Sequence, residues 1–242
     1  MTAVGSVHVA SASFFSTHHA SAQDALAGRT RELTAPTFPL LVARARRFTS
    51  LVTQMHIEVC GALQPTGAAA AVFATCHGEI ETADKLIADF RDSQHVSSAR
   101  FALSVHNSPS GVYSVALGST APTTTVTGSN AIAAGWLEAA LTSLDGDHSV
   151  LLSIADEPVP AVFRGPTQPV GVAAAFVLSP AGSGPRVELV VTPSPDDAAI
   201  DPLVTLARVA DAVESDRAET IVLGRIQPGA VLELRFAPGR RG

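Results

Sequence analysis

The 242-residue chain is 46% hydrophobic, enough to bury a sizeable core as one domain or slightly more. Only 16% of its residues are charged, against roughly a quarter in ordinary soluble domains, which points either to surface covered by a partner or to an alanine-rich genome. The net charge of −6, with no basic stripe, excludes a nucleic-acid-binding role. The longest apolar run, Ala68 to Cys76, falls far short of the roughly 20 residues a membrane span needs. No basic residue precedes Arg29, so no signal-peptide start is expected and the expected location is the cytoplasm.

Val4 to Ala10 alternates weakly and predicts a first strand, whereas the small, polar stretch from Ser11 to Phe38 predicts irregular chain. Val52, Met55, Val59 and Leu63 recur at helical spacing, predicting a helix over 48–63 with Thr49 or Ser50 as its cap. Ala68 to Thr75 is a continuous apolar run of the kind found in fully buried parallel strands. A helix follows over 79–90, then a short strand or lead-in over 101–105. Ser108 to Leu117 reads as a helix, with Pro109 in its first turn and Gly118 at its end.

The β-branched run Thr123-Thr-Thr-Val-Thr127 predicts a strand, and Ala131 to Leu144 a helix with a broad apolar face. Strands are expected over 149–155, 170–178 and 186–192. Asp201-Pro202 opens a helix over 203–213, and two short strands, 220–223 and 231–236, flank Pro228-Gly229. Strands alternating with helices define an α/β sandwich.

Few residues offer chemistry. Cys60 and Cys76 make no disulfide framework and read as buried small side chains. The eight histidines show no His-x-x-x-His spacing, and no Cys-x-x-Cys is present. Cys76-His77 beside Glu79 is the nearest cluster, and no metal or cofactor is expected. Gly128-Ser129 does not complete a Gly-x-Ser-x-Gly elbow, and no phosphate-cradling glycine loop occurs.

One constellation is more specific. Asn107, Gly111, Gly118, Pro122 and Asn130 stand at the spacings of the nucleophile region of a β-ketoacyl synthase, which this stretch resembles without a gap. Gly128-Ser129-Asn130 takes the place of that family's Thr-Ala-Cys. Ser149 to Asp156 and Gly171 to Leu178 are similar to two later strands of the same half-fold. Upstream, Phe38-Pro39, Arg44-Ala-Arg46-Arg47, Phe73-Ala-Thr-Cys-His-Gly78-Glu79 and Phe101 to Asn107 resemble a narrower group. These are the short chain-length-factor-like proteins of aryl polyene and other highly reducing type II polyketide pathways. The resemblance covers roughly residues 35 to 180.

It implies a thiolase-like fold: a layered α/β sandwich with a mixed, mostly parallel sheet and the C-terminal half absent. Residues 1–180 would form the ketosynthase-like domain and 181–242 an extension packing on it. That extension is expected to cover only part of the apolar surface that the missing half leaves open. An asparagine cannot form the acyl-thioester that elongation needs, because the thiolate is the nucleophile. Classical chain-length factors carry glutamine at this position, and the second half that supplies two histidines and a lysine has no room here. The resemblance therefore implies a non-catalytic subunit. It would form a heterodimer with a ketosynthase, elongating a polyketide on an acyl carrier protein by decarboxylative condensation, with the carrier docking mainly on the partner.

By the same resemblance, Thr123, Thr124, Thr125, Val126 and Thr127 would pair across the dimer, and Val112, Tyr113 and Ala116 would bound the product tunnel. Each has a plainer alternative. The strand could be interior to this chain's own sheet, Tyr113 could be core, and Asn130 could cap the helix it precedes. Arg44, Arg46 and Arg47 could meet a carrier protein or simply be solvated. An autonomous acyl-binding or hydrolytic enzyme, needing a nucleophile–base pair, and a purely structural scaffold are the competing functions.

Overall fold

The computed structural model describes residues 1–37, 49–63, 67–163, 170–194 and 200–239. Phe38-Pro39 and the arginines 44, 46 and 47 lie outside the described residues.

Eight strands form one sheet in the order β3-β2-β4-β5-β1-β6-β8-β7. They are β1 (Thr2–Ser16), β2 (Ala70–Thr75), β3 (Thr123–Thr127), β4 (Val150–Asp156), β5 (Val172–Ser179), β6 (Arg186–Pro193), β7 (Glu219–Gln227) and β8 (Ala230–Ala237). The helices are α1 (Ala22–Leu26), α2 (Leu51–Leu63), α3 (Ile80–Ser93), α4 (Ser98–Ala102), α5 (Ser108–Leu117), α6 (Ala131–Gly146) and α7 (Pro202–Glu214).

The sheet is mixed as expected, but its balance is not mostly parallel. Only β3–β2 and β2–β4 run parallel, and the other neighbours are antiparallel. Parallel pairing needs a crossover, which α3 to α5 and then α6 supply for these three strands alone. Two elements also depart from expectation. β1 continues to Ser16 because it is central, zipped to β5 over 8–16 and to β6 over 2–8, so pairing on both sides overrides the poor strand propensity of Ser11 to Ser13. Residues 101–105 form no strand. Ser97 accepts from the Arg100 N–H and starts α4 instead.

Two cores flank the sheet. On one face α2 and α5 bury Met55, Cys60, Phe73, Tyr113 and Leu151. On the other, α6 and α7 bury Trp136, Phe176, Leu206 and Val209. α6 touches β2, β3 and β4 at one end of the sheet and also β7 at the other, so the sheet curls around it. Ile221, Leu223, Leu232, Leu234 and Phe236 thereby join Trp136 in one cluster. The segment after residue 180 packs on the sheet, where β6, β7, β8 and α7 bury Val187, Leu189, Leu206, Ile221 and Leu234. Exposed apolar side chains gather elsewhere, with Ile87, Phe90 and Phe101 of α3 and α4 each more than half exposed. Among the described residues, no helix is long and apolar enough to cross a membrane.

Candidate functional site: the edge strand and the helix start beside it

β3 is the end of the sheet. It pairs with β2 from Thr123 opposite Ala71 to Thr127 opposite Thr75 without a register shift, and among the described residues nothing pairs its other side. Thr123, Thr124 and Thr127 are exposed, with Thr125 and Val126 half-buried. Among the described residues β3 is thus an edge strand of this chain's sheet, not an interior one. The opposite edge differs. β7 is broken by two register shifts and carries Glu219, held by Arg208 and Arg217 at 2.6 and 2.8 Å. Bulges and charges are the usual guards against a strand adding to an edge, and β3 has neither.

The chain leaves β3 through Gly128, whose φ of +116° only glycine adopts without strain. The Ala131 N–H donates to the Gly128 carbonyl at 2.9 Å and α6 begins. Asn130 holds the cap position but does not cap, contrary to the plainer expectation for it. At φ −107° and ψ 17° its backbone has already turned toward the helix, so the carboxamide cannot fold back onto the first-turn N–H groups. Asp201, extended at ψ 113°, shows the contrast by accepting from Leu203 and Val204.

Beside this turn lies an open cleft of about 510 Å³, lined by Ile80, Ala83, Val105, His106, Thr127 and Gly128. Glu79 also lines it, and two further buried carboxylates, Asp156 and Glu157, hold the turns and helix starts behind it. Asp156 accepts from the Thr75 hydroxyl (2.9 Å) and from the N–H groups of Cys76 (2.8 Å) and His77 (3.2 Å), fixing the turn after β2. Glu79 accepts from Ser50 (2.7 Å), Thr53 (2.6 Å) and Thr82 (3.0 Å). Glu157 accepts from the N–H of Val52 (3.2 Å) and of Glu81 (3.0 Å), tying the starts of α2 and α3 together. Burial raises the pKa of all three, that of Glu157 to about 7. The Cys76 thiol is also pushed up, by burial and then by Asp156, so it is a poor nucleophile. Among the described residues no group of three His, Cys, Asp or Glu side chains could hold a metal ion.

Sequence reading singled out Glu79, beside Cys76-His77, but gave Asp156 and Glu157 no role. The signal was the acidic pair Asp156-Glu157 closing an apolar strand run. It also missed a serine–histidine contact, His56 Nδ1 to Ser153 Oγ at 2.8 Å, because the two are 97 residues apart. Both side chains are fully buried, and burial drives the His56 pKa down to about 3. Cys60, sharing the Ser153 hydroxyl, is raised by burial to about 12. The cluster has the composition of a hydrolytic site but no access for substrate.

The expected tunnel residues share one face of α5. Tyr113 is buried, edge-on to Phe73 at 5.4 Å, and Val112 and Ala116 are half-buried against the same core. The face of α5 that carries them is thus built on α2 and β2.

The model of the β-ketoacyl synthase N-terminal domain matches residues 18–208, and the chain belongs to that family. No curated protein sequence matches. Among solved structures, the chain is similar to a chain of the ketosynthase (ApeO) in complex with its chain length factor (ApeC) from Xenorhabdus doucetiae. The TM-score is 0.74 at 17% identity, covering 95% of this chain and 99% of that one. It is also similar to a chain of the ishigamide ketosynthase/chain length factor, with TM-score 0.69 at 12% identity, covering 97% and 99%. At these identities the likeness shows the fold. It is thiolase-like, the N-terminal half of a ketosynthase.

Proposed function

We propose that this chain is a non-catalytic chain-length-factor subunit that joins a ketosynthase through β3 and walls the product tunnel of the complex. The observation that carries the proposal is the asymmetry of the two sheet edges, one bulged and charged, the other flat, uncharged and open. A threonine-rich edge suits strand addition, because its methyl groups pack while its hydroxyls bond across strands. The two similar solved structures both contain a ketosynthase with a chain length factor, which supports the same reading.

In such a complex the partner supplies the cysteine, the histidines and the main docking surface for the carrier protein. The reaction is decarboxylative condensation extending a carrier-bound polyketide, and a polyene is the product class the sequence resemblance favours. This chain brings Val112 and Ala116, backed by Tyr113, to the tunnel wall. Asn130, with no capping bond to hold it, stands where a synthase carries its nucleophile. A hydrolytic role has no comparable support, since the serine–histidine pair is sealed in the core.

Co-expression with a ketosynthase subunit from the same genome tests the proposal. Size exclusion should give a one-to-one complex, and Thr125→Pro, which removes a backbone donor from the edge, should dissociate it. A soluble monomer that ignores the ketosynthase, or an undisturbed complex with Thr125→Pro, would defeat it.

A further inference from the structure

The hairpin of α3 and α4 stands apart from the body of the fold. α3 buries one of its 14 side chains, Leu86, and α4 buries none. α3 packs mainly on α4 rather than on the sheet, and Ile87, Phe90 and Phe101 stay open to solvent. A hairpin with so little buried surface is held chiefly at its base. There the joint to the body is made by two carboxyl groups, and each spans the gap. Glu157, the residue after β4, accepts from the Val52 N–H of α2 through one oxygen and from the Glu81 N–H of α3 through the other. Glu79 accepts from Ser50 and Thr53 through one oxygen and from Thr82 of α3 through the other. We propose that the α3–α4 hairpin is a hinged cover on the cleft beside Gly128, pinned shut by Glu157 and opening as that carboxyl loses its proton. The device needs only this chain, whatever partner it joins.

The hinge is next to the pin. The chain enters α3 through Gly78, whose φ of +60° lies in the left-handed region that favours glycine. Ile80 and Ala83 line the cleft from α3, and Val105 and His106 line it from the segment after α4. Cys76, Thr127 and Gly128 line it from the body. A swing of α3 about Gly78 therefore widens the cleft along one whole side.

The charges around the pin give the direction. Among the described residues, the charged groups acting on Glu157 are Glu79 and Glu81, both acidic. Lys85 of α3 is spent on Glu81 at 2.6 Å and stands in solvent. Asp156 turns away, onto Cys76 and His77, and His77 is exposed. From α2, Glu157 meets the uncharged Val52 N–H, while His56 is turned to Ser153. Ionised, Glu157 thus adds a charge beside Glu79 where water is excluded, and opening the hairpin hydrates it. Its carboxyl titrates at about 7 with the joint shut, against 4.5 in water. The preference for the shut form is therefore complete below 4.5 and is lost as pH rises through 7.

Hydrogen exchange of the full chain from pH 4.5 to 8, corrected for intrinsic rates and read by mass spectrometry, tests this. Residues 80–93 should exchange by local opening, with protection roughly tenfold or more below that of α6 at every pH. That protection should fall by a further tenfold or so as pH rises. Glu157→Gln, which keeps the shape but cannot ionise, should remove most of the fall. Leu86→Ala should loosen α3 by a similar factor at every pH and leave the fall in place. At fixed pH, Leu86→Ala should also quicken alkylation of Cys76, with the fully buried Cys60 unreactive. If Glu157→Gln does not fold, wild type and Leu86→Ala decide without it. Exchange of residues 80–93 in step with α6 throughout would overturn the hinge. Local exchange indifferent to pH, or a fall that survives Glu157→Gln, would overturn the pin. Alkylation of Cys76 unmoved by Leu86→Ala would overturn the cover.

Discussion

Asn130 and Asp201 both stand one residue before a helix, yet backbone geometry gives only one of them work as a cap. Asp201→Ala should cost about 1 kcal/mol in chemical denaturation, whereas Asn130→Ala should stay within about 0.5 kcal/mol. If Asn130 serves the complex, its loss should show only in the co-expressed synthase. Glu157 gives a pH prediction. Its folded pKa is about 7 against an ordinary 4.5. Below 4.5 both states hold the proton and its contribution is fully present. As pH rises toward 7 the unfolded state ionises while the folded state resists, and stability falls, by on the order of 3 kcal/mol in full. Glu79 and Asp156, also raised, act in the same direction. Denaturation midpoints measured from pH 4.5 to 8 should decline, and Glu157→Gln should flatten part of that decline.

At the scale of elements, α5 and β3 carry the functional argument. The sequence resolved both to the residue, since Pro109, Gly118 and a β-branched run leave little choice. Residues 101–105 went the other way because Ser97 offers a cap that an apolar pattern does not reveal. Enlarging the side of α5 that the proposal turns toward the tunnel tests its role. Ala116→Phe should shorten the carrier-bound product made with the ketosynthase by one or more extension units, read by mass spectrometry, while the complex still forms. Products of unchanged length would reduce the chain to a scaffold.

The whole molecule depends on its curl. β7 packs against α6, and β7 and β8 side chains join its core cluster, closing a core that a flat sheet would leave open. Leu232→Ala or Leu234→Ala should therefore cost about 2–5 kcal/mol, as in any close-packed interior. Removal of residues 181–242 should leave a species that binds hydrophobic dye and aggregates.

By itself the sequence determined the family and the alternation of helix and strand, because local propensity, glycine and proline placement and residue identity are all written along the chain. Which strand lies at the edge, that Asn130 makes no cap, that Ser153 meets His56 out of reach of solvent, and that the C-terminal strands seal the core were decided only by the tertiary structure. Each depends on groups brought together from distant positions, or on a backbone angle that neighbours in space impose.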